Sequence, residues 1–230
     1  MKMYNNYYTI VFDCDGVVLN SNIVKTEAFY QAALPYGEAA AQALVDYHVS
    51  HGGISRYKKF ALFLEQIVPQ YAPETYGSNL EQLLNSYANY VKEGLLSCEI
   101  AEGLEELRQH TKNTNWLIVS GGDQSELREV FAKRGLDKLF NGGIFGSPDT
   151  KDEILAREIT SGNIQTPALF LGDSKYDYQA ATQAGLDFVF LSDWTEVEDW
   201  ERWVWNENIV SIKSLKDTSI SPLNSKNYFK

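Results

Sequence analysis

The sequence has few cysteines and no long hydrophobic run. Two cysteines occur in 230 residues, Cys14 and Cys98, and without metal-type spacing they predict no disulfide framework. No apolar run approaches the roughly 20 residues that span a bilayer. The N-terminus also lacks the basic start, apolar centre and small-residue cleavage site of a secretory signal. These absences predict a cytoplasmic protein with no membrane partner.

An excess of positive charge is absent as well. The net charge is −11 at pH 7, which argues against a nucleic-acid partner because such proteins usually carry a basic face. A small anionic substrate remains compatible, since a few local cations and a metal ion reverse the sign inside a pocket. Apolar residues make up 44% of the chain, enough for a buried core.

What the sequence does contain is a series of short, continuously apolar runs. They occupy residues 8–12, 116–120, 143–146, 168–172 and 188–191. Continuous apolarity over four or five residues is typical of strands covered on both faces, as in a parallel sheet. Helical patterns over residues 123–135, 151–161 and 175–185 separate the last four runs. This alternation predicts an α/β domain with a doubly wound parallel sheet.

The interval between the first two strands has a different character. It shows helical stretches over residues 22–34, 38–50, 54–68 and 77–95, and no convincing strand. So much helix exceeds what a crossover needs, which predicts an inserted α-helical cap at 20–97 and a core formed by 1–19 and 98–230. The Ser/Asn-rich tail from Thr218 is expected to be irregular.

Acidic residues follow two of the predicted strands. Asp13 ends the first strand, and Asp15 follows it; Asp173 comes just after another strand, and Asp177 lies one helical turn further on. Taken singly, the first pair fits a polar turn, and the second pair fits a helix cap and a first-turn acid. Two parallel strands would nevertheless bring four carboxylates to one edge of the sheet. Because such a cluster needs compensation, it predicts a Mg²⁺ site.

Two further residues could hold a phosphate. Ser120 ends a strand, and its hydroxyl and the following glycine amides, Gly121 first, could donate to phosphate oxygens. Lys151 begins a predicted helix, where a cation opposes the helix dipole. The alternatives are a strand-to-helix turn for Ser120 and a surface position for Lys151.

In their order along the chain, these pieces resemble the motifs of the haloacid dehalogenase superfamily. The matching segments are FDCDGVV, LIVSGG, the lysine of SPDTKDEIL, and LFLGDSKYD. The resemblance covers the whole chain and is closest to the capped subfamily of phosphoglycolate phosphatases and β-phosphoglucomutases. It implies a Rossmann-like core with a helical cap inserted after the first motif.

The resemblance also implies roles for individual residues. Asp13 would be the nucleophile that forms an aspartyl-phosphate, and Asp15 the acid and base, while Ser120 and Lys151 would hold the phosphoryl group. The implied ligands of Mg²⁺ are Asp13, the carbonyl of Asp15, and Asp173, with Asp177 in a direct or indirect role. Asp15 favours phosphate chemistry, because the dehalogenases of the superfamily lack this second acid.

The cap is expected to read the substrate. Its loop at 51–60, HGGISRYKKF, resembles a loop that enters the active site in capped relatives, so Ser55, Arg56 and Lys59 are candidate substrate-binding residues. Arg56 is the candidate for a bidentate contact with a carboxylate or second phosphate; the alternative is a solvated basic helix start. Asn20 is expected at the hinge, within reach of substrate. Lys25 either reaches the site or faces solvent. The resembling β-phosphoglucomutases carry a histidine at the matching place, so a lysine here weakens the mutase alternative.

Two histidines flank this loop. His48 and His51 are interpreted as incidental polar residues rather than ligands.

The predicted function is therefore a Mg²⁺-dependent phosphatase acting on a small phosphorylated metabolite, such as a sugar phosphate or phospho-acid. One alternative keeps the nucleophile but returns the phosphoryl group to the substrate, as a sugar phosphomutase. A second alternative is a non-catalytic, receiver-like signalling domain that binds Mg²⁺. A monomer or homodimer is expected.

Overall fold

A six-stranded parallel sheet forms the centre of the protein. The computed structural model describes residues 4–75 and 77–217. The strands are β1 (Thr9–Phe12), β2 (Asn115–Asp123), β3 (Gly143–Ser147), β4 (Ala168–Gly172), β5 (Asp187–Leu191) and β6 (Val210–Ile212). Their order across the sheet is β3-β2-β1-β4-β5-β6, and every neighbouring pair is parallel. The predicted α/β class with a doubly wound parallel sheet is confirmed.

The central strands are buried on both faces, which explains their continuous apolarity. All residues of β1 and β4 are buried, and two separate apolar clusters cover the two faces of the sheet. The five predicted strands are present within a few residues of their expected bounds. The short edge strand β6 was missed, because three residues are too few for a periodic pattern.

Six α-helices lie between β1 and β2 in the described part of the chain, and the last of them leads into β2. They are α1 (Asn22–Ala33), α2 (Glu38–Ser50), α3 (Arg56–Leu62), α4 (Val68–Tyr71), α5 (Leu80–Ser97) and α6 (Leu104–His110). A wider turn at Phe63–Ile67 joins α3 to α4, so the single helix predicted at 54–68 is two helices around this turn. The rings of Phe29, Phe60 and Tyr87 pack together between these helices. The predicted helical insertion after the first strand is present.

The chain leaves and re-enters the sheet at one place. Leu19 pairs with Ile100 in a short antiparallel bridge, and the amide of Asn20 donates to the carbonyl of Glu99 at 2.9 Å. This crossing agrees with a cap at 20–97, although the boundaries themselves stay a prediction. The tail from Thr218 lies outside the described residues.

The remaining helices flank the sheet. They are α7 (Gln124–Lys133), α8 (Lys151–Thr160), α9 (Lys175–Gln183) and α10 (Trp200–Asn206). Three of them, α7, α8 and α9, begin directly after the carboxyl ends of β2, β3 and β4, capped by the side chains of Asp123, Thr150 and Ser174. Across the described ranges, no helix combines the length and apolarity needed to cross a membrane.

Candidate active site

Three buried carboxylates meet where the central strands end. Asp13 follows β1, Asp173 follows β4, and Asp177 lies in the first turn of α9. One oxygen from each lies within 4.8 Å of the others, and all three residues are buried. They converge because β1 and β4 are adjacent and parallel, so their carboxyl ends reach the same edge.

Lys151 lies among these acids rather than at the surface. Its Nζ is 2.9 Å from Asp13 Oδ2 and also donates to Asp177 Oδ1. The side chain is 1% exposed, so the surface interpretation of Lys151 is wrong. One ammonium therefore neutralises part of the charge of two buried carboxylates, and both contacts raise the pKa of Lys151 against the opposing effect of burial.

Within the described ranges, no second cation forms an ion pair with the three buried carboxylates. Burial raises the pKa of Asp13 to about 7; the carboxylates of Asp177 and Asp15 add to this, and Lys151 opposes it. Burial, with Asp13 and Asp177 nearby, also holds the pKa of Asp173 well above its usual range. The carboxylates repel one another when all are ionised, and a divalent cation between them would relieve this repulsion. Carboxylate oxygens are also the ligands that Mg²⁺ prefers.

Gly16 allows Asp173 to approach the first loop. Its φ is +71°, a left-handed conformation, and a Cβ there would lie 1.9 Å from Asp173 Oδ2. The amide of Asn22 donates to the same oxygen at 2.8 Å. The glycine after Asp15 is therefore required by this contact as well as by the turn.

Asp15 is held by the first cap helix. Ser21 Oγ donates to Asp15 Oδ1 at 2.6 Å, and Lys25 Nζ lies 2.5 Å from Oδ2. Burial would raise the pKa of Asp15, but Lys25 and Ser21 together lower it. The solvent-facing interpretation of Lys25 is wrong, because the residue is buried and ion-paired at the site.

Ser120 and Gly121 lie at the adjacent strand end. The buried Ser120 hydroxyl accepts from the amide of Gly122 at 3.1 Å. Gly121 accepts from Ser147 Oγ at 2.8 Å, and a Cβ on Gly121 would lie 2.2 Å from the carbonyl oxygen of Gly53 in the cap. The cap loop thus touches the backbone beside the candidate phosphate donors.

A cavity lies between the acids and the cap. Asp13, Asp15 and Asp173 line the core side, and Lys25, Arg56 and Lys59 line the cap side. Arg56 and Lys59 are buried, so the alternative of a solvated helix start does not describe them, whereas Lys58 between them is exposed. Both cap cations therefore belong to the cavity wall.

Arg56 is bound to the core. Its guanidinium pairs with Glu126 on α7 and lies over the Tyr87 ring at 4.6 Å. The neighbouring Tyr57 hydroxyl donates to Asp123 at 2.6 Å. These contacts tie the start of α3 to the start of α7.

Lys59 has a different partner. Its Nζ lies 2.6 Å from His48 Nδ1, and both residues are buried. Burial, with Lys25 nearby, lowers the pKa of Lys59 to about 7. His48 lines the cavity, and its ring is tilted against that of Phe29 with the centroids 4.5 Å apart.

Two predicted substrate residues lie elsewhere. The Asn20 amide donates to Glu99 at 2.9 Å at the hinge, and Asn20 is absent from the described residues that line the cavity. Ser55 accepts from the amide of Lys58 as the cap of α3, beside a smaller neighbouring cavity that Lys151 also lines. Neither side chain lines the main cavity.

Sequence reasoning missed several residues of the site. Asn22 and Glu196 line the cavity, and Glu126 anchors Arg56. A polar residue directly after the hinge was the available signal for Asn22. Glu126 and Glu196 had none, because acids near helix starts are common in any acidic protein.

Comparison with known proteins shows the family of the chain. A sequence model of the haloacid dehalogenase-like hydrolases matches residues 7–185. The chain belongs to this family of hydrolases. A search of curated proteins gave no match.

Solved structures with the same fold include three relatives under 20% identical. A β-phosphoglucomutase from Clostridium difficile has 17% identity and a TM-score of 0.68, covering 93% of each chain. A predicted phosphoglycolate phosphatase from Haemophilus somnus 129PT has 19% identity and a TM-score of 0.63, covering 81% of this chain and 86% of its own. A haloacid dehalogenase-like hydrolase from Streptococcus pneumoniae has 19% identity and a TM-score of 0.61, covering 90% of this chain and 93% of its own.

Proposed function

We propose that the protein is a Mg²⁺-dependent phosphatase that hydrolyses a small phosphate ester through an aspartyl-phosphate on Asp13. The observation that carries this proposal is the buried pair of Asp13 and Asp173 at the floor of a capped cavity, with Lys151 bound to Asp13 behind it. Family membership and the phosphatase and phosphomutase among its structural relatives support it.

Asp13 is placed to act as the nucleophile. Its Oδ1 accepts from the amide of Cys14 at 2.7 Å, and its Oδ2 is fixed by Lys151. The carboxylate is therefore oriented before substrate arrives. In the first half-reaction an Asp13 oxygen bonds to phosphorus while the bond from phosphorus to the leaving alcohol breaks. Lys151, with Ser120 and the Gly121 amide as further donors, would stabilise the charge on the phosphoryl oxygens.

Asp15 is the proposed acid and base. The incoming phosphate adds negative charge beside Asp15, which favours its protonated form and so proton delivery to the leaving alcohol. In the second half-reaction the ionised carboxylate, which Lys25 favours, takes a proton from the water that attacks the phosphorus. The aspartyl-phosphate is hydrolysed and Asp13 is regenerated.

The proposed ligands of Mg²⁺ are Asp13, the carbonyl of Asp15, and Asp173. Asp177 fits an indirect role, because its two oxygens already accept from Lys151 and from the amide and hydroxyl of Ser174. When bound, Mg²⁺ would reduce the repulsion between the carboxylates and an anionic substrate.

The capped cavity and Asp15 argue against a receiver-like signalling role. Hydrolysis is favoured over phosphomutase action because a lysine, not the histidine of the resembling mutases, contacts Asp15. Product analysis with a sugar 1-phosphate separates the two reactions: free phosphate supports hydrolysis, and a 6-phosphate isomer supports a mutase.

The proposal is tested by a phosphate-release screen over sugar phosphates, phospho-acids and nucleotides with Mg²⁺. Multiple turnover of at least one ester is expected, with loss of turnover in EDTA. Absence of turnover for every ester, p-nitrophenyl phosphate included, would contradict the proposal.

A further inference from the structure

The cations of the cap differ in how they are neutralised. Lys25 is paired with Asp15, and Arg56 with Glu126. Lys59, although 1% exposed, has no salt-bridge partner within the described part of the chain. Glu196 lines the same cavity, but its carboxylate accepts from Thr26 Oγ1 at 2.9 Å and forms no ion pair with Lys59.

A buried ammonium without a counter-anion is unfavourable. An ion loses its hydration on burial, and this loss destabilises the folded state unless an opposite charge offsets it. Around Lys59, burial and two further lysines, Lys25 and Lys151, disfavour the charge. They outweigh the more distant carboxylates of Glu196 and Asp15 and the face of the Phe29 ring, 5.5 Å from Nζ, which favour it. Lys59 is thus placed in the cavity at a cost to the folded state.

His48 adds a second donor beside it. When Lys59 is charged, its ammonium can only donate to His48 Nδ1, so the ring proton lies on Nε2. Nε2 is buried and has no hydrogen-bond partner among the described residues. An anionic oxygen in this part of the cavity would compensate Lys59 and accept from His48.

We propose that Lys59 and His48 form a subsite for a second anionic group of the substrate. The substrate would then be a phosphate ester whose leaving group carries a carboxylate or a second phosphate. This inference rests on the proposed phosphatase function. It assigns the anion contact to Lys59 because the Arg56 guanidinium already has a carboxylate partner.

Two matched substrate pairs test the subsite. The carboxylate pair is 2-phosphoglycolate and 2-hydroxyethyl phosphate; the phosphate pair is 1,3-propanediol bisphosphate and 3-hydroxypropyl phosphate. We expect the protein to prefer the anionic member of one pair, which identifies the group. Lys59→Met should lower kcat/KM for that member by about tenfold to a hundredfold, the range of a charged hydrogen bond, and by less than about threefold for the neutral member.

Lys58→Met is the matched control, because Lys58 is an exposed lysine next to Lys59 on the same helix. It should leave both substrates within about twofold, as a screened surface charge does. Lys59→Gln provides a second variant if the methionine variant does not fold. Equal rates on both members of both pairs in the wild-type protein, or equal losses in Lys59→Met, would overturn the subsite while leaving the phosphatase function intact.

Binding gives a readout that does not depend on turnover. Calorimetric titration of Asp13→Asn protein and Mg²⁺ with 2-phosphoglycolate and with the bisphosphate should show tighter binding than with the neutral analogues. Adding Lys59→Met should remove that preference. If the wild-type protein hydrolyses no ester, the phosphatase proposal fails, and this preference alone then supports the subsite by its presence or overturns it by its absence.

Discussion

The two walls of the cavity carry opposite charges and are constructed differently. On the core side, acids stand at the ends of β1 and β4, where the sheet fixes their positions. On the cap side, the cations project from α1 and α3, where helix packing fixes them. Strand register therefore determines where the acids of the core wall lie, and the orientation of each helix determines which cations of the cap face the cavity.

The comparison also extends to how the charges are compensated. Lys151 joins two acids of the core wall and forms no ion pair with the third, Asp173, which is the proposed metal ligand. On the cap wall, Arg56 is paired with Glu126, a residue of the core, whereas Lys59 forms an ion pair with no acid in the described structure. Among the described residues, one ammonium thus serves the three buried acids of the core wall, and one lysine of the cap wall has no ion-pair partner. This is the charge pattern expected for the proposed metal-bound substrate with a second anionic group.

Removing the one cation of the core wall should have the largest effect on stability. Lys151→Met leaves Asp13 and Asp177 buried without their shared ammonium, and breaking such a buried pair costs about 3–5 kcal/mol. Urea unfolding in EDTA measures this loss. Lys175→Met, an exposed lysine at the start of the next helix, should leave the unfolding midpoint unchanged. Similar midpoints for both variants would show that the core wall does not depend on Lys151.

A smaller effect is expected where the two walls touch. Glu126→Gln removes the charge that compensates the buried Arg56, which should cost about 1–3 kcal/mol of unfolding free energy. KM should rise, because this pair ties the cap to the core. Glu129→Gln on the same helix is the control, since Glu129 is exposed and pairs only with surface lysines. An unchanged unfolding midpoint in Glu126→Gln would argue against the tie.

The smallest effect concerns the uncompensated lysine of the cap wall. Burial lowers the pKa of Lys59 to about 7 in the folded protein, below its usual 10.5. Between pH 7 and pH 10.5, Lys59 is therefore protonated in the unfolded chain and mostly neutral in the folded protein. Stability contributed through Lys59 therefore rises with pH from about 7 to 10.5. Lys59→Met should be more stable than the wild-type protein near pH 7, and the difference should narrow toward pH 10. A constant difference in melting temperature across this range would contradict the assignment.

Much of the core wall could be predicted from the sequence. Asp13 and Asp173 directly follow short apolar runs, and parallel strands necessarily bring such residues to one edge. Lys151 was identified by its unfavourable place at a helix start and by the resemblance. Local pattern and strand order were sufficient there.

The cap wall could be predicted only in part. The helical insertion was evident, but a helix pattern does not show which lysine faces a cavity, so Lys58 and Lys59 are equivalent in the sequence and opposite in exposure. Likewise, Glu126 lies 70 residues after its partner Arg56 in the sequence, and Asp15 lies outside the helix that carries Lys25. Such contacts depend on tertiary packing, which periodicity alone does not encode.

The central claim is that Asp13 is the nucleophile of a metal-dependent phosphatase. The most direct measurement is steady-state turnover of the best phosphate ester with Mg²⁺, compared between the wild-type protein and Asp13→Asn, with melting curves to confirm folding. Multiple turnover by the wild-type protein and a loss of about a thousandfold or more in the variant are predicted, as for removal of a nucleophile. A folded Asp13→Asn protein with wild-type turnover would contradict the claim.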